Sequence, residues 1–340
     1  MNFPGTKIAA SGFNRLARGA KKSSLDARAR PPTRAEARSA SRVYAGVSSC
    51  SLAGGPAVFV EFGMLTHSSY GKERVRLVQV LRRSDLHDLR DLTIAVRFEG
   101  DYDTSYTDGD NSAVLPTDTM KNTVYALAAR EPVQEPESFG QRLARHFLSQ
   151  NDRLTRVTVD LVEHLWGRIA RGERQHGNAF VRRGPETRTA VVTGDRACTK
   201  VSAGASDLVI MKSAHSAFAG FPRDQYTTLP ETRDRLLATS LTATWEYRDT
   251  EIEFGPTWRA VKHTLLETFA EHRSESVQHT LHAMGQAVLD AIDTVESIRL
   301  VMPNRHHLPF DLTRFGLENR NEIFVATEEP HGLIAATLVR

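Results

Sequence analysis

LTIAVRF (Leu92–Phe98) sets Leu92, Ile94, Val96 and Phe98 on alternate positions, and LTATWEY (Leu241–Tyr247) repeats the device with Leu241, Ala243, Trp245 and Tyr247. Apolar residues at period two mark a strand with one buried face. A Val- and Leu-rich strand, Arg74–Arg82, comes before the first stretch across a Ser84–Arg90 turn, and an acidic, Gly-containing loop, Gly100–Asn111, comes after it. Thr117-Asp118 then offers two N-cap candidates for a helix with Met120, Val124 and Leu127 on one side. A second helix from about Ser138 spaces Phe139, Leu143 and Phe147 four apart, and Val157, Val159 and Leu161 mark a further strand.

Around the second stretch the order recurs. Strands are expected at Thr187–Val192, Leu208–Lys212 and Leu236–Tyr247, and helices at about Thr257–Ala270 and Ser276–Thr294. Strands at Ile298–Met302, Ile323–Ala326 and Leu333–Leu338 follow. Two successive units of hairpin, helix pair and hairpin predict an α+β fold: tandem modules, at 64–195 and 196–340, of antiparallel sheet with helices on one face. Such sheets keep unpaired edges, which assembly with other subunits closes.

The 340 residues suffice for one large domain or two ordinary ones, and 40% hydrophobic with 25% charged residues suits a soluble globular chain. No apolar run of about 18 residues is present, which excludes a transmembrane helix. Cys50 and Cys198 are too far apart in sequence for metal-ligand spacing and suggest a reducing, cytoplasmic setting. Residues 1–60 hold ten Lys or Arg against Asp26 and Glu36, whereas the whole chain carries only +3. The basic character therefore belongs to the N-terminal extension and makes no case for nucleic acid. That extension, 1–63, has no sustained period of 2 or 3.6 and is expected to be disordered. An upstream start ahead of Met64, a tail and an organelle transit peptide all fit its composition.

Phosphate loops, dinucleotide glycine patterns, nucleophile elbows and His-Glu metal helices are all missing. His306 and His307 are adjacent, and neighbouring strand residues point to opposite faces, so they make a poor metal site. The polar clusters that remain are YGKERVRL (Tyr70–Leu77), LPTDTMKNTVY (Leu115–Tyr125), FAGFPRDQYTTLPETRDRL (Phe218–Leu236), SVQHT (Ser276–Thr280) and MPNRHHLPFDL (Met302–Leu312). The first puts Lys72 at the start of a strand, and the last lies between strands. Taken singly they have ordinary readings. Thr117 and Asp118 are helix caps, Phe218 is core, Lys72 a solvated strand end and Arg235 a surface ion-pair partner. Gln278 is a first-turn residue, Asn304 a turn residue and His306 a loop histidine.

Taken together and in this order, the five segments resemble the motif set of the urate oxidases, over roughly Tyr70–Arg340. The resemblance implies tandem T-fold modules assembled as a tunnel-shaped homotetramer, with sites at subunit interfaces and neither cofactor nor metal. It implies oxidation of urate by dioxygen and water to 5-hydroxyisourate and hydrogen peroxide. Phe218 would stack on the purine, Arg235 would grip one edge of the anion in two-pronged fashion, and Gln278 would hold the opposite edge. The main chain at Val277 and Asp118 would add polar contacts, and Asn304 would contact the oxygen or water site. Lys72, Thr117 and His306 would form the proton relay, with Lys72 and Thr117 reaching across the interface. Two rival readings stand beside this one. One is a T-fold relative that hydrolyses or rearranges a pterin or purine, and the other is a purine-binding protein without catalysis. Pro116 and Asn178 depart from the resemblance, the first where Ala and the second where a second His is expected. The chain ends Leu338-Val339-Arg340, without a Ser-Lys-Leu peroxisomal address, so a cytoplasmic location is expected. Deleting residues 1–63 is predicted to leave assembly and activity unchanged; a truncated form that no longer sediments as the native oligomer would make the extension structural.

Overall fold

One antiparallel sheet of eight strands, ordered β1 to β8 as in the sequence, organises residues 65–340, the part of the chain that the computed structural model describes. The expectations about the 1–63 extension and Cys50 lie outside the described residues. The elements run β1 (Tyr70–Leu81), β2 (Asp88–Gly100), α1 (Asp103–Thr107), α2 (Thr117–Arg130), α3 (Pro136–Gln150), β3 (Leu154–Arg171) and β4 (Arg174–Gly194). They continue with β5 (Thr199–Lys212), β6 (Leu237–Tyr247), α4 (Phe254–Glu271), α5 (Val277–Ala291), β7 (Val295–Pro309) and β8 (Phe324–Val339). The fold is α+β, and hairpin, helix pair and hairpin occur twice. No helix among the described residues is long and apolar enough to cross a membrane.

The alternating residues turn one face of the sheet toward the helices. Ile94, Val96, Phe98, Val157, Val159, Leu241, Ala243, Ile298 and Leu300 are fully buried there, with Met120, Leu143, Leu265 and Met284 from the four long helices. Burying each large apolar side chain contributes about 1.5–3 kcal/mol, and this face supplies most of the stability. The other face carries the intervening polar residues, among them Glu99, Arg156, Thr158, Thr193, Lys200, Ser202 and Glu246, around a cleft of about 660 Å³.

Several expected boundaries move. The Gly100–Asn111 loop contains α1, seated by the buried Tyr102. The N-cap of α2 is Pro116, with Thr117 as first helical residue, so neither Thr117 nor Asp118 caps the helix. Pro116 already has the extended ψ of an N-cap, 135°. The two strands expected near the C-terminus are one, β8: its 324–327 part pairs with 306–309 and its 332–339 part pairs with 297–304, with a shift of register between them. Asn304 and His306 therefore sit within β7 and not between strands. The strands outrun their sequence signal because charged residues on the water-facing side of a pleat break the apolar pattern without ending the ladder.

The repeat extends to an irregularity that no composition reveals. On β1, Lys72 pairs with Val96 and Val75 with Ile94, so Glu73 and Arg74 together face one residue. On β5, Ala205 pairs with Ala243 and Leu208 with Leu241, which leaves Ser206 and Asp207 in the same position. Arg74 and Asp207 both have φ of +57°. These are matching β-bulges. Five residues beyond each bulge, the strand is tied to a helix C-terminus: Gln79 Nε2 donates to Ala128 O at 2.7 Å, and Lys212 Nζ donates to Phe269 O at 3.2 Å and His272 O at 2.5 Å. A left-handed residue with a side chain is strained by roughly 1–2 kcal/mol. Arg74→Gly is therefore expected to be neutral or stabilising, and Arg74→Val, β-branched at positive φ, to lower stability by at least about 1 kcal/mol. Thermal unfolding of the two variants checks both signs.

Candidate active site

Lys72 owes its direction to the first bulge. It lies three positions before Val75, an offset that in an uninterrupted strand would put the two on opposite faces. The extra residue restores parity, so Lys72, half-buried opposite the fully buried Val96, points to the helix-covered side. There it lies close enough to the start of α2 for its charge to act on Asp118. The Asp118 carboxyl is held below the ordinary carboxylate range first by the hydrogen bond and charge of Lys121, with smaller help from Asn122 and Lys72. Tyr70, next but one to Lys72, fixes the approach to Thr117: its hydroxyl accepts the Leu115 N–H at 3.0 Å. Its ring packs edge-on against Phe98 and Tyr102. Since Pro116 takes the N-cap, the Thr117 hydroxyl is not spent on capping its own helix.

A second cluster forms around the end of β6. The segment 215–218 is tied on one side to Thr232, through Phe218 N–H to Thr232 O at 2.8 Å and the reciprocal bond at 3.0 Å. On the other side Ala217 N–H donates to Ser274 O at 2.7 Å. Arg235 N–H donates to Ser216 O at 2.8 Å, which sets the guanidinium 5.1 Å from the Phe218 ring centroid. Arg235 is half-buried, and burial lowers its pKa below the usual guanidinium value. Its Nε is buried without a partner, and among the described residues no carboxylate lies within ion-pair distance of it. A surface ion pair is therefore not its role.

The same strapping brings up α5. Ser276 is its N-cap, its hydroxyl accepting His279 N–H at 3.1 Å, while Thr280 N–H returns to Ser276 O. Val277 and Gln278, the first two helical residues, keep N–H groups that no helix partner takes, and such groups favour an anion. Val277 is buried and the Gln278 side chain exposed. On β7, Asn304 pairs with Thr239 and approaches His306, Nδ2 to Nδ1, at 3.4 Å. Phe218, Arg235, Val277, Gln278, Asn304 and His306 thus share one end of the helix-covered face around β6, β7 and α5.

Lys72, Thr117 and Asp118 belong to the β1 edge. Five strands stand between β1 and β7, a path of about 29 Å along the sheet at ~4.8 Å per step. The cleft on the bare face holds none of the expected site residues. Asn178 is exposed on β4. No set of three or more His, Cys, Asp or Glu among the described residues is arranged to hold a metal ion. The sequence reading passed over Tyr70 and the Ser216–Thr232–Ser274 strapping. Tyr70 stands in a quoted motif, but its partner is 45 residues away, and backbone bonds between loops leave no mark in residue type.

A family model described as Uricase matches residues 68–193 and 201–335. The chain belongs to the uricase family. The uricase of Arthrobacter globiformis is 41% identical over 277 residues, covering 82% of this chain and 90% of that relative. The uricase of Dictyostelium discoideum is 37% identical over 279 residues, covering 81% and 97%. The crystal structure of the Arthrobacter globiformis uricase matches with a TM-score of 0.79 at 40% identity, over 82% of this chain and 96% of that one. A urate oxidase from Bacillus sp. TB-90, at 23% identity and a TM-score of 0.72, shares the fold.

The Tyr70 bond generates a local test of how this uricase-family chain presents Thr117. Tyr70→Phe keeps the ring packing and removes only the acceptor, at a cost of about 1 kcal/mol. The Leu115 amide should exchange with deuterium faster while Val96 and Ile94 stay protected. An unchanged Leu115 rate would mean that the loop is held by something else.

Proposed function

We propose that this member of the uricase family oxidises urate with dioxygen and water to 5-hydroxyisourate and hydrogen peroxide, without cofactor or metal. The observation that carries the reading is Arg235: a half-buried guanidinium without a carboxylate partner, beside an aromatic ring and the start of α5. A planar anion with a carbonyl beside a ring nitrogen supplies what that arrangement lacks. Urate would lie on Phe218, with Arg235 on one edge and the Gln278 amide on the other, and with the Val277 and Asp118 main chain adding contacts. Asn304 would face the dioxygen or water above the ring.

The chemistry needs proton movement more than bond polarisation. Loss of a further proton makes the urate anion a reductant; two electrons pass to dioxygen, which leaves as peroxide, and water adds to the oxidised ring. Thr117 would relay the proton to Lys72, and His306 would orient Lys72 or take the proton up. The two clusters lie at opposite ends of one sheet, so one chain supplies Lys72 and Thr117 to the clamp of another. A homotetramer with interfacial sites fits this separation. The unpaired edges β1 and β8 support it, the latter with Leu333 and Val339 exposed. The free, exposed Cys198 thiol fits a cytoplasmic setting. A metal-dependent hydrolase of the same fold is not favoured, because no acidic anchor stands at Gln278.

Purified protein mixed with urate and a chelator should consume oxygen as the urate absorbance falls; a well-folded oligomer that does neither refutes the oxidase reading. Lys72→Met should reduce kcat far more than it weakens binding of a urate analogue, whereas equal losses would make Lys72 a binding residue. Co-expressing Lys72→Met with Arg235→Ala chains, each inactive alone, should restore activity at about a quarter of the sites, because random pairing leaves that share with both residues intact. No recovery would place the whole site within one chain.

A further inference from the structure

The two modules can be superposed by register, and the first then shows what became of its own copy of the clamp. Lys72, Val96, Val159 and Val192 lie in one row across the first module, as Ala205, Ala243, Leu300 and Ala336 do across the second. Four residues along, the rows are Leu92, Glu163 and Arg188 in the first module and Thr239, Asn304 and Gly332 in the second. Glu163 therefore stands where Asn304 stands. At the helix start the match continues: Glu137 is the second residue of α3, as Gln278 is of α5.

In the first module the space between these positions is taken by the Arg188 side chain, which grows from the place where the second module has Gly332. Its Nη2 donates to Glu137 Oε2 at 2.6 Å and its Nη1 to Glu135 Oε2 at 2.5 Å, with Glu163 Oε2 at 3.9 Å. The Trp258 ring, from α4, lies 5.3 Å from the guanidinium carbon. Arg188 is 4% exposed and Glu137 fully buried. Arg188 Nε and Glu137 Oε1 are both buried without a partner, so the fit is that of a group placed in a cradle and not of a completed network.

We propose that the first module holds a second cradle for a planar group, equivalent to the clamp of the second module, and that the Arg188 guanidinium occupies it as a built-in ligand. The cradle selects planar cations of the guanidinium and amidinium class, because carboxylates at 135, 137 and 163 line it where the clamp has the neutral Gln278 and Asn304. This equivalence rests on the clamp proposed above, but its test reads stability and not urate turnover, so either idea can fail alone.

The test uses the full chain with Arg188→Ala. The variant should melt several degrees below the parent, and millimolar guanidinium chloride should return roughly half of the lost Tm, since a ligand that binds only the folded state stabilises it by RT ln(1 + L/Kd), with L the free ligand concentration. Methylammonium chloride, a cation of similar charge without the planar fork, should return far less, and neither salt should raise the Tm of the parent. Adding Glu137→Gln to Arg188→Ala should abolish the gain. Should Arg188→Ala give no folded protein, the same comparison is read as refolding yield in the two salts. Equal effects of both cations, or none from guanidinium, would overturn the proposal and leave Arg188 as an ordinary buried ion pair.

Discussion

Side chains in a strand alternate, and with helices on only one side of the sheet every second residue of eight strands must suit an apolar core. The rest of the molecule depends on that constraint and on the few places where it is relaxed. The bulges at Glu73–Arg74 and Ser206–Asp207 each insert one residue and so exchange the faces of everything that precedes them. In the first module the exchange brings a lysine to the covered side; in the second it brings Ala205, and nothing reactive results. One backbone irregularity, used twice, has different consequences because the residue it re-aims differs.

The two buried guanidinium groups show how similar chemistry is used in opposite ways. Burial disfavours the charge of both. Around Arg188 three carboxylates overcome that penalty, so its pKa stays above the ordinary value, and removing Arg188 would leave the buried carboxylates uncompensated. Around Arg235 nothing among the described residues overcomes it, and the cost is borne by the folded chain. A half-buried cation without a partner is a poor device for stability and a good one for binding. Glu137 shows the other side of this balance: its burial raises its pKa despite Arg188 beside it.

The fold leaves both sheet edges unpaired and sets Lys72, Thr117 and Asp118 at one of them, apart from the cluster around β6, β7 and α5. Single-chain stability and site assembly are therefore separate matters. The core under α2 to α5 forms within one chain, whereas Lys72 and Arg235 meet only if edges of different chains come together. The β8 edge carries exposed apolar side chains, and association there would cover surface that otherwise invites irregular pairing.

How much of this was legible in the sequence depends on the range of the interaction that decides each feature. The period-two stretches at Leu92–Phe98 and Leu241–Tyr247, the four-residue spacing of Phe139, Leu143 and Phe147 and the repeated order of elements all follow from neighbours within a few positions. Strand, helix and α+β repeat could accordingly be read directly. The five motifs, in order, also pointed to the uricase family and to its set of polar residues. Other features depend on partners tens of residues away: the bulge that turns Lys72, the Tyr70–Leu115 bond, the placing of Asn304 and His306 within a strand, and the filling of the first cradle by Arg188. Residue type carries no record of such contacts, because a ladder hydrogen bond or a buried ion pair is specified by where two distant segments come to lie. By itself the sequence determined which elements form and which side chains are available for chemistry. Only the tertiary structure decided which face each side chain takes and which guanidinium is left free, since both depend on register between strands.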